Sequence, residues 1–468
     1  MNTREIVLDT LLTLEKEGGY SNRLVKAVLD KYDYLQVRDK AFIKRLTEGT
    51  LERQIELDYY LDCYSSLPAG KMKPLIRCLM RMSVYQILYM DSVPDSAVCN
   101  EACRLAARRK FGNLKGFVNG VLRRISGEKK ALPLPDKEGD PVKYLSVKYS
   151  MPEWLVELWT DEYGRDITVT LLEGLMDIHP VSLRFSTSLS AQERENHCRA
   201  MREKGMEMTQ SPYLPYVYLM GGHMENPGAL GVFAEGMCTV QDVSSALAVE
   251  AAGIREGDFV VDVCAAPGGK SILAAEKTGR GRVLARDISE EKTALITENT
   301  ERMKVENIEV QVYDAVLRDG ELTGKADVVL LDVPCSGLGV IGKKRDIKYR
   351  VSEENLPGLE ALQRQIAAAS AEYVRPGGTL LYSTCTIRRE ENEAMVMYIA
   401  RELGFRPVSL EGVLPGEILA RKKELEKDLK KAGKGPDGLT EEEREACVQL
   451  LPGYMESDGF FMARFRRP

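Results

Sequence analysis

The sequence predicts a multidomain chain in which an all-α helical domain is followed by a doubly wound α/β domain. Three observations lead there. The 468 residues exceed the usual span of one domain. From Thr3 to about Ile125, apolar residues recur at the three-to-four-residue spacing of amphipathic helices. From Met237 onward, short apolar runs alternate with helical stretches, the pattern of buried parallel strands joined by helices.

In the first domain, residues 1–127, Leu8, Leu11, Leu12 and Leu14 open one helix, and Leu75, Leu79, Met82 and Leu88 run through another. Ser96 is placed to cap a helix in which Cys99, Cys103 and Ala106 share a face. Their i, i+4, i+7 spacing is that of a packing stripe, so both thiols belong to the core rather than to a ligand set. The other side of this helix offers Arg104 and Arg108, followed by Arg109, Lys110 and Lys115. Residues 128–142 are rich in Gly, Pro and charge and read as a linker. Residues 143–235, including Trp154–Leu158 and the strand-like Val181–Phe185, read as a small connecting α/β subdomain. Residues 236–468 form the second large domain, with strands at Phe259–Val263, Arg282–Ala285, Val310–Tyr313, Val328–Leu331 and Thr379–Tyr382. The stretch Leu359–Val374 reads as a helix with Leu359, Leu362, Ile366 and Tyr373 on one face. A charged insertion over 417–446, densest from Arg421 to Arg444 and containing Gly433-Lys434-Gly435-Pro436, reads as two short solvated helices or a mobile segment.

Composition excludes several classes. Ten cysteines are too sparse for a disulfide scaffold in a chain of this length. The N-terminus lacks the continuous apolar core of a secretory signal, because Asp9 and Glu15 interrupt it, and no stretch approaches the length of a membrane span. The expectation is a cytoplasmic protein with reduced thiols, no membrane association and, for lack of further modules, a monomer. The net charge of −6 hides an asymmetry: residues 1–130 carry 23 Lys and Arg against 16 Asp and Glu, while the remainder carries 42 against 55. A basic segment on an acidic chain fits a nucleic-acid partner, and equally a solvated helix face.

The run Phe259–Val263 leads into Cys264-Ala265-Ala266-Pro267-Gly268-Gly269-Lys270-Ser271, a strand, a tight loop and the start of a helix. Small residues let a ligand approach the backbone, and a helix N-terminus favours negative charge. A P-loop would need Gly at 264, where Cys264 stands, and the dinucleotide pattern G-x-G-x-x-G is absent. Asp287 ends the next strand, where such folds place an acceptor for ribose hydroxyls; Asp314 follows the third strand and Asp332 the fourth. Ligands bind beyond the carboxyl ends of the strands in open α/β sheets, so these carboxylates converge on one crevice. Each also has the ordinary role of turn former or cap open to it.

Cys335, in Asp332-Val333-Pro334-Cys335-Ser336-Gly337, follows the fourth strand, and Cys385, in Tyr382-Ser383-Thr384-Cys385-Thr386, follows the fifth. If these strands pair, a spacing of roughly 5 Å puts both thiols beside the crevice. No metal is expected: there is no C-x-x-C, and only His179, His197 and His223 are available. What remains is thiolate chemistry assisted by a second thiol and a carboxyl. Methylation at carbon 5 of a pyrimidine needs these parts. That carbon becomes nucleophilic only after a thiolate adds at carbon 6, and the base must be flipped out or single-stranded.

These motifs, together with Glu390-Glu391-Asn392, Gln241-Asp242-Val243-Ser244-Ser245, Leu451-Pro452-Gly453 and Asp458-Gly459-Phe460-Phe461, resemble those of the RNA 5-methylcytosine methyltransferases. The first 125 residues are similar to the NusB-type RNA-binding domain. The resemblance implies a Rossmann-like methyltransferase fold, S-adenosyl-L-methionine as cofactor and 16S ribosomal RNA as partner. It places the cofactor loop on Cys264, Ala265, Ala266, Pro267, Gly268, Gly269 and Lys270, with further contacts at Asp287, Asp314 and Asp332. It makes Cys385 the nucleophile, Cys335 the aid to product release and Asp332 a contact to base or cofactor; DNA cytosine methylases attack with a Pro-Cys cysteine, so the exchanged assignment stays open. Arg184-Phe185-Ser186 stands where relatives carry Arg-x-Asn in an RNA-side contact, and Val333 replaces the usual Ala. Two other readings compete: the same chemistry on tRNA or another rRNA cytosine, and an RNA-binding scaffold with an inactive methylase domain. The intact cysteine pair weighs against the scaffold.

Overall fold

The apolar stripes of the N-terminal region fold as helices over Thr3–Glu17, Ser21–Lys31, Val37–Glu52, Gln54–Tyr64, Pro74–Tyr89, Asp95–Arg108 and Lys115–Glu128. Pro74 sits in the first turn of its helix, where a missing N–H costs nothing. The helix expected to start at Ser96 begins at Asp95, behind Pro94, and its Asp95 carboxylate accepts from Ser126 Oγ (2.7 Å). Cys99 and Ala106 are buried in the helical core with Leu46, Leu61, Leu79 and Leu122, and Cys103 packs against its edge. The basic stripe is partly neutralised from within: Arg104 pairs with Glu101, Arg108 with Glu5, and Arg109 with Glu5 and Asp9.

The computed structural model describes residues 2–17, 21–177, 180–221, 230–435 and 438–468. His179, His223 and Pro436 therefore lie outside the described residues. Contacts divide the chain into one unit of Met1–Thr160 with Lys343–Arg350, and a second of Asp161–Gly342 with Val351–Pro468. Within the first unit, Pro141–Tyr149 is helical, opened by Asp140, whose side chain accepts from Lys143 N (3.1 Å).

The second unit contains two sheets. Strands β1 (Val181–Phe185), β2 (Glu207–Gln210), β3 (Val217–Gly221) and β4 (Cys238–Val240) form an antiparallel sheet in the order β2-β3-β1-β4. Beside it the helix Ala191–Glu203 starts in a capping box made by Ser190 and Glu193. The larger sheet contains β5 (Phe259–Asp262), β6 (Arg282–Asp287), β7 (Ile308–Val312), β8 (Ala326–Asp332), β9 (Val374–Thr384), β10 (Arg406–Pro407), β11 (Cys447–Leu450) and β12 (Phe460–Arg466). Its order is β10-β12-β9-β8-β5-β6-β7, with β11 also on β12. The pairs from β9 to β7 are parallel, and β12 runs antiparallel to β9. Strand order reverses between β5 and β8, which opens a crevice at their carboxyl ends. This is the doubly wound, Rossmann-like architecture expected from the sequence.

Two elements differ from expectation. The helix read as Leu359–Val374 spans Leu356–Ala371, and Val374 already begins β9. Tyr373 is buried beyond the helix end, its hydroxyl donating to Leu317 O (3.1 Å). The charged insertion contains a sixteen-residue helix, Gly416–Lys431, that buries Ile418, Leu425 and Leu429, and a short one, Glu441–Glu445, capped by Thr440. The longer helix is amphipathic and packed rather than solvated all round.

Candidate active site

The loop after β5 turns at Gly268, whose φ of +104° lies in the region glycine adopts without strain. A Cβ there would also press on Ile296. The helix Gly269–Thr278 begins immediately, so its unpaired first amides lie at the crevice. Asp287, the last residue of β6, ties this loop to the next: its Oδ2 accepts from Ala266 N (2.9 Å), its Oδ1 from Ile288 N (2.8 Å), and Lys292 Nζ lies 3.0 Å from Oδ1. Asp314 lies past β7, where Oδ1 accepts from Val316 N (3.2 Å) in a local turn.

At the end of β8, Asp332 is half-buried between two donors. Lys270 Nζ reaches Oδ2 at 2.7 Å and Ser383 Oγ reaches Oδ1 at 2.8 Å. Residues Asp332 and Ser383 are register partners on β8 and β9, so strand pairing itself brings the two cysteine loops together. The sulfurs of Cys335 and Cys385 are 3.3 Å apart. The Cys335 thiol is held well above its ordinary range, first by its hydrogen bond with Cys385, then by burial, with the charges of Cys385, Glu391 and Asp332 adding to it.

Several neighbouring residues carried no role in the sequence reading. Asp262, at the end of β5, is fully buried; Ser271 Oγ donates to its Oδ2 (2.6 Å), Oδ1 has no protein partner, and burial pushes its carboxyl up to about 7. Gly339 and Gly459 meet backbone to backbone, with Gly459 N donating to Gly339 O (2.9 Å) and Gly339 N to Cys385 O (3.0 Å). A signal was available here, since Asp458-Gly459 opens one of the family-like motifs. Arg184, expected on the RNA side, is fully buried and donates to Gln241 Oε1 (2.6 Å) and Glu276 Oε2 (2.7 Å). His197 stacks on Phe185, and among the described residues no group of three or more His, Cys, Asp or Glu side chains could hold a metal ion. No helix among them is long and apolar enough to cross a membrane.

A switch-point crevice bounded by a small-residue loop and strand-end carboxylates belongs to a Rossmann-like methyltransferase. Known proteins agree: the family model described as 16S rRNA methyltransferase RsmB/F matches residues 251–466, and that of the NusB family matches residues 1–127. The chain is 33% identical to the probable ribosomal RNA small subunit methyltransferase B of Bacillus subtilis (strain 168), over 100% of this chain and 99% of that protein. The crystal structure of PH0851 matches 100% of this chain and 99% of its own, with a TM-score of 0.78 at 24% identity. A methyltransferase homolog protein from Pyrococcus horikoshii matches 70% and 99%, with a TM-score of 0.58 at 23% identity. The chain belongs to the RsmB/F family of 16S rRNA methyltransferases, with a NusB domain at its N-terminus.

Proposed function

We propose that the protein methylates carbon 5 of a cytosine in 16S ribosomal RNA, using S-adenosyl-L-methionine and a covalent cysteine–cytosine intermediate. The observation that carries this reading is the pair of sulfurs 3.3 Å apart at the ends of adjacent parallel strands, beside Asp332. Methylation of an exocyclic amine needs no thiol, whereas carbon 5 needs one.

The residues present fit the cofactor. Its ribose hydroxyls, adenine amine and methionine ammonium are donors, and Asp287, Asp314 and Asp332 supply acceptors at the ends of successive strands. The loop Cys264–Lys270 would hold it against the backbone, with Asp262 buried beneath. Bound there, S-adenosyl-L-methionine supplies an electrophilic methyl group.

The chain's own residues do the rest. Cys385, as thiolate, adds to carbon 6, and the displaced electron pair makes carbon 5 an enamine carbon. Ring nitrogen 3 meets the Asp332–Lys270 pair, and a proton donated from that pair to the nitrogen neutralises the negative charge that develops there, returning to the pair when the C6–S bond breaks. Once carbon 5 carries the methyl group it loses its proton to a general base, the C6–S bond breaks, and the electron pair returns to Cys385. Cys335 keeps its proton firmly and donates its S–H to the departing sulfur.

The test uses labelled S-adenosyl-L-methionine and unmethylated 16S rRNA with the wild type, Cys385→Ala and Cys335→Ala, each reaction run on a denaturing gel. Cys385→Ala loses methylation, and Cys335→Ala accumulates a covalent protein–RNA adduct. Full activity in Cys385→Ala overturns the mechanism, and the reverse pattern exchanges the cysteines. A lack of label with 16S rRNA alongside label with tRNA moves the substrate.

A further inference from the structure

Beneath the two cysteines lies a fully buried carboxyl group that has no part in the reaction steps assigned to Cys385, Cys335 and Asp332. Glu391 is completely inaccessible, and both of its oxygens act as acceptors: Oε2 from Ser336 N (2.9 Å) and Gln363 Nε2 (2.9 Å), Oε1 from Ser336 Oγ (2.5 Å). Its own backbone carbonyl accepts from Tyr382 OH (2.6 Å) on β9. A single hydroxyl proton fixes the direction of the hydrogen bonds. The proton of Ser336 Oγ points to Glu391, so Thr386 Oγ1, 2.7 Å from Ser336 Oγ, is the donor in that contact. Hydrogen bonds therefore run from Thr386 to Ser336 to Glu391. Thr386 directly follows Cys385, and Ser336 directly follows Cys335. Gln363 extends the tie by donating to Pro334 O (3.0 Å) on the other side of Cys335.

We propose that Glu391 is a positioning residue for the two-cysteine chemistry, locking the loop after β8 to the loop after β9 so that the sulfurs stay in contact. The proposal rests on the reading of Cys335 and Cys385 as partners in one reaction. A buried carboxyl is costly unless fully satisfied, and this one accepts from Ser336 and Gln363 rather than from a cation, reaching Thr386 beside Cys385 through Ser336 Oγ. Neither β8 nor β9 alone sets the sulfur–sulfur contact, because Cys335 and Cys385 lie three and one residues beyond the strand ends.

The decisive experiment compares the full chain with Glu391→Gln, Ser336→Ala and the double variant, by two readouts. The first is steady-state methylation. Loss of alignment costs about 100-fold in kcat, with KM for RNA unchanged, and the double variant is no worse than the poorer single one, because both break one chain of bonds. The second needs no RNA. With oxidised glutathione the Cys385 thiolate displaces one glutathione, and Cys335 then displaces the second to close a disulfide. Mass spectrometry of the wild type shows the closed pair, and of the variants a larger share of glutathione left on one cysteine. Ser336→Ala, which removes only a hydroxyl, keeps the test informative if Glu391→Gln fails to fold. Wild-type kcat and wild-type closure in both variants overturn the proposal, as do additive losses in the double variant. If Cys385→Ala still methylates RNA, the reaction assigned to the cysteines falls, while the closure measurement still decides whether Glu391 sets the sulfur contact.

Discussion

Asp287 shapes the loop it faces and is the acceptor that the proposed cofactor site needs at the end of β6. Its two oxygens already take backbone amides from Ala266 and Ile288. Asp287→Asn keeps the size but turns one acceptor into a donor that faces an amide N–H. A hydrogen bond to a charged group contributes about 1.5–3 kcal/mol, so the dissociation constant of S-adenosyl-L-methionine rises at least about 10-fold. Isothermal titration calorimetry checks this, and unchanged affinity removes Asp287 from the cofactor site. The strand-end carboxylates and the two cysteines were legible because chemistry-bearing residues directly after apolar runs are conspicuous. The residues that hold them were not. Lys270 and Ser383 meet Asp332 only after β5, β8 and β9 are side by side. Asp262 looked like one more residue of a strand.

At the scale of elements, the parallel strands could be read directly, since a strand buried on both faces is written as an unbroken apolar run. Helix ends were harder. Tyr373 continues the stripe of Leu359, Leu362 and Ile366, yet the chain has already turned and its hydroxyl accepts from Asp319 N (3.2 Å) as well as donating to Leu317. In the charged run, Ile418, Leu425 and Leu429 keep helical spacing but are outnumbered by lysines and glutamates, so the packed face was masked. Loop-to-strand packing left no periodic trace at all. The end of the loop carrying Cys335 passes against the turn before β12 so closely that a Cβ on Gly459 would stand 2.7 Å from Gly339 Cα and from Ile387 Cγ2. Gly459→Ala forces one of these segments to move, at a cost of about 1–3 kcal/mol. Because Gly339 N also holds Cys385 O, the expected result is a lowered melting temperature together with slower adduct formation. An unchanged rate would mean that the contact serves packing alone.

At the scale of the whole chain, the feature least visible in sequence is that Lys343–Arg350, from the middle of the methyltransferase segment, belongs to the helical unit. Local pattern cannot announce such an exchange, because the partners are about 300 residues away. Within that unit Asp346 accepts from Ser21 N and Oγ, and Arg345 pairs with Glu48 and Glu52. Lys348 is buried with its ammonium on two carbonyls, Glu52 O (2.7 Å) and Ser150 O (2.6 Å), each at the C-terminal end of a helix. Burial pushes its proton affinity down to about 7, opposed by Glu52 and Glu56 and assisted by Arg53 and Arg345. The sign follows from linkage: an unfolded lysine keeps its proton to about 10.4, so between that pH and 7 the unfolded chain binds more protons and stability rises with pH. The slope reaches about 1.4 kcal/mol per pH unit for one such group. Lys348→Met removes the titration and leaves two carbonyls unpaired, a loss of about 2 kcal/mol at high pH. Below pH 7, where the wild type bears the penalty of a buried charge, its advantage over Lys348→Met is gone. Both tryptophans, Trp154 and Trp159, lie within Met1–Thr160, so denaturant titrations followed by tryptophan fluorescence at pH 6 and pH 9 follow the unfolding of this part of the chain. A gap between wild type and Lys348→Met that widens toward pH 9 establishes the buried amine as the anchor of the segment; a gap independent of pH would leave Arg345 and Asp346 to hold it.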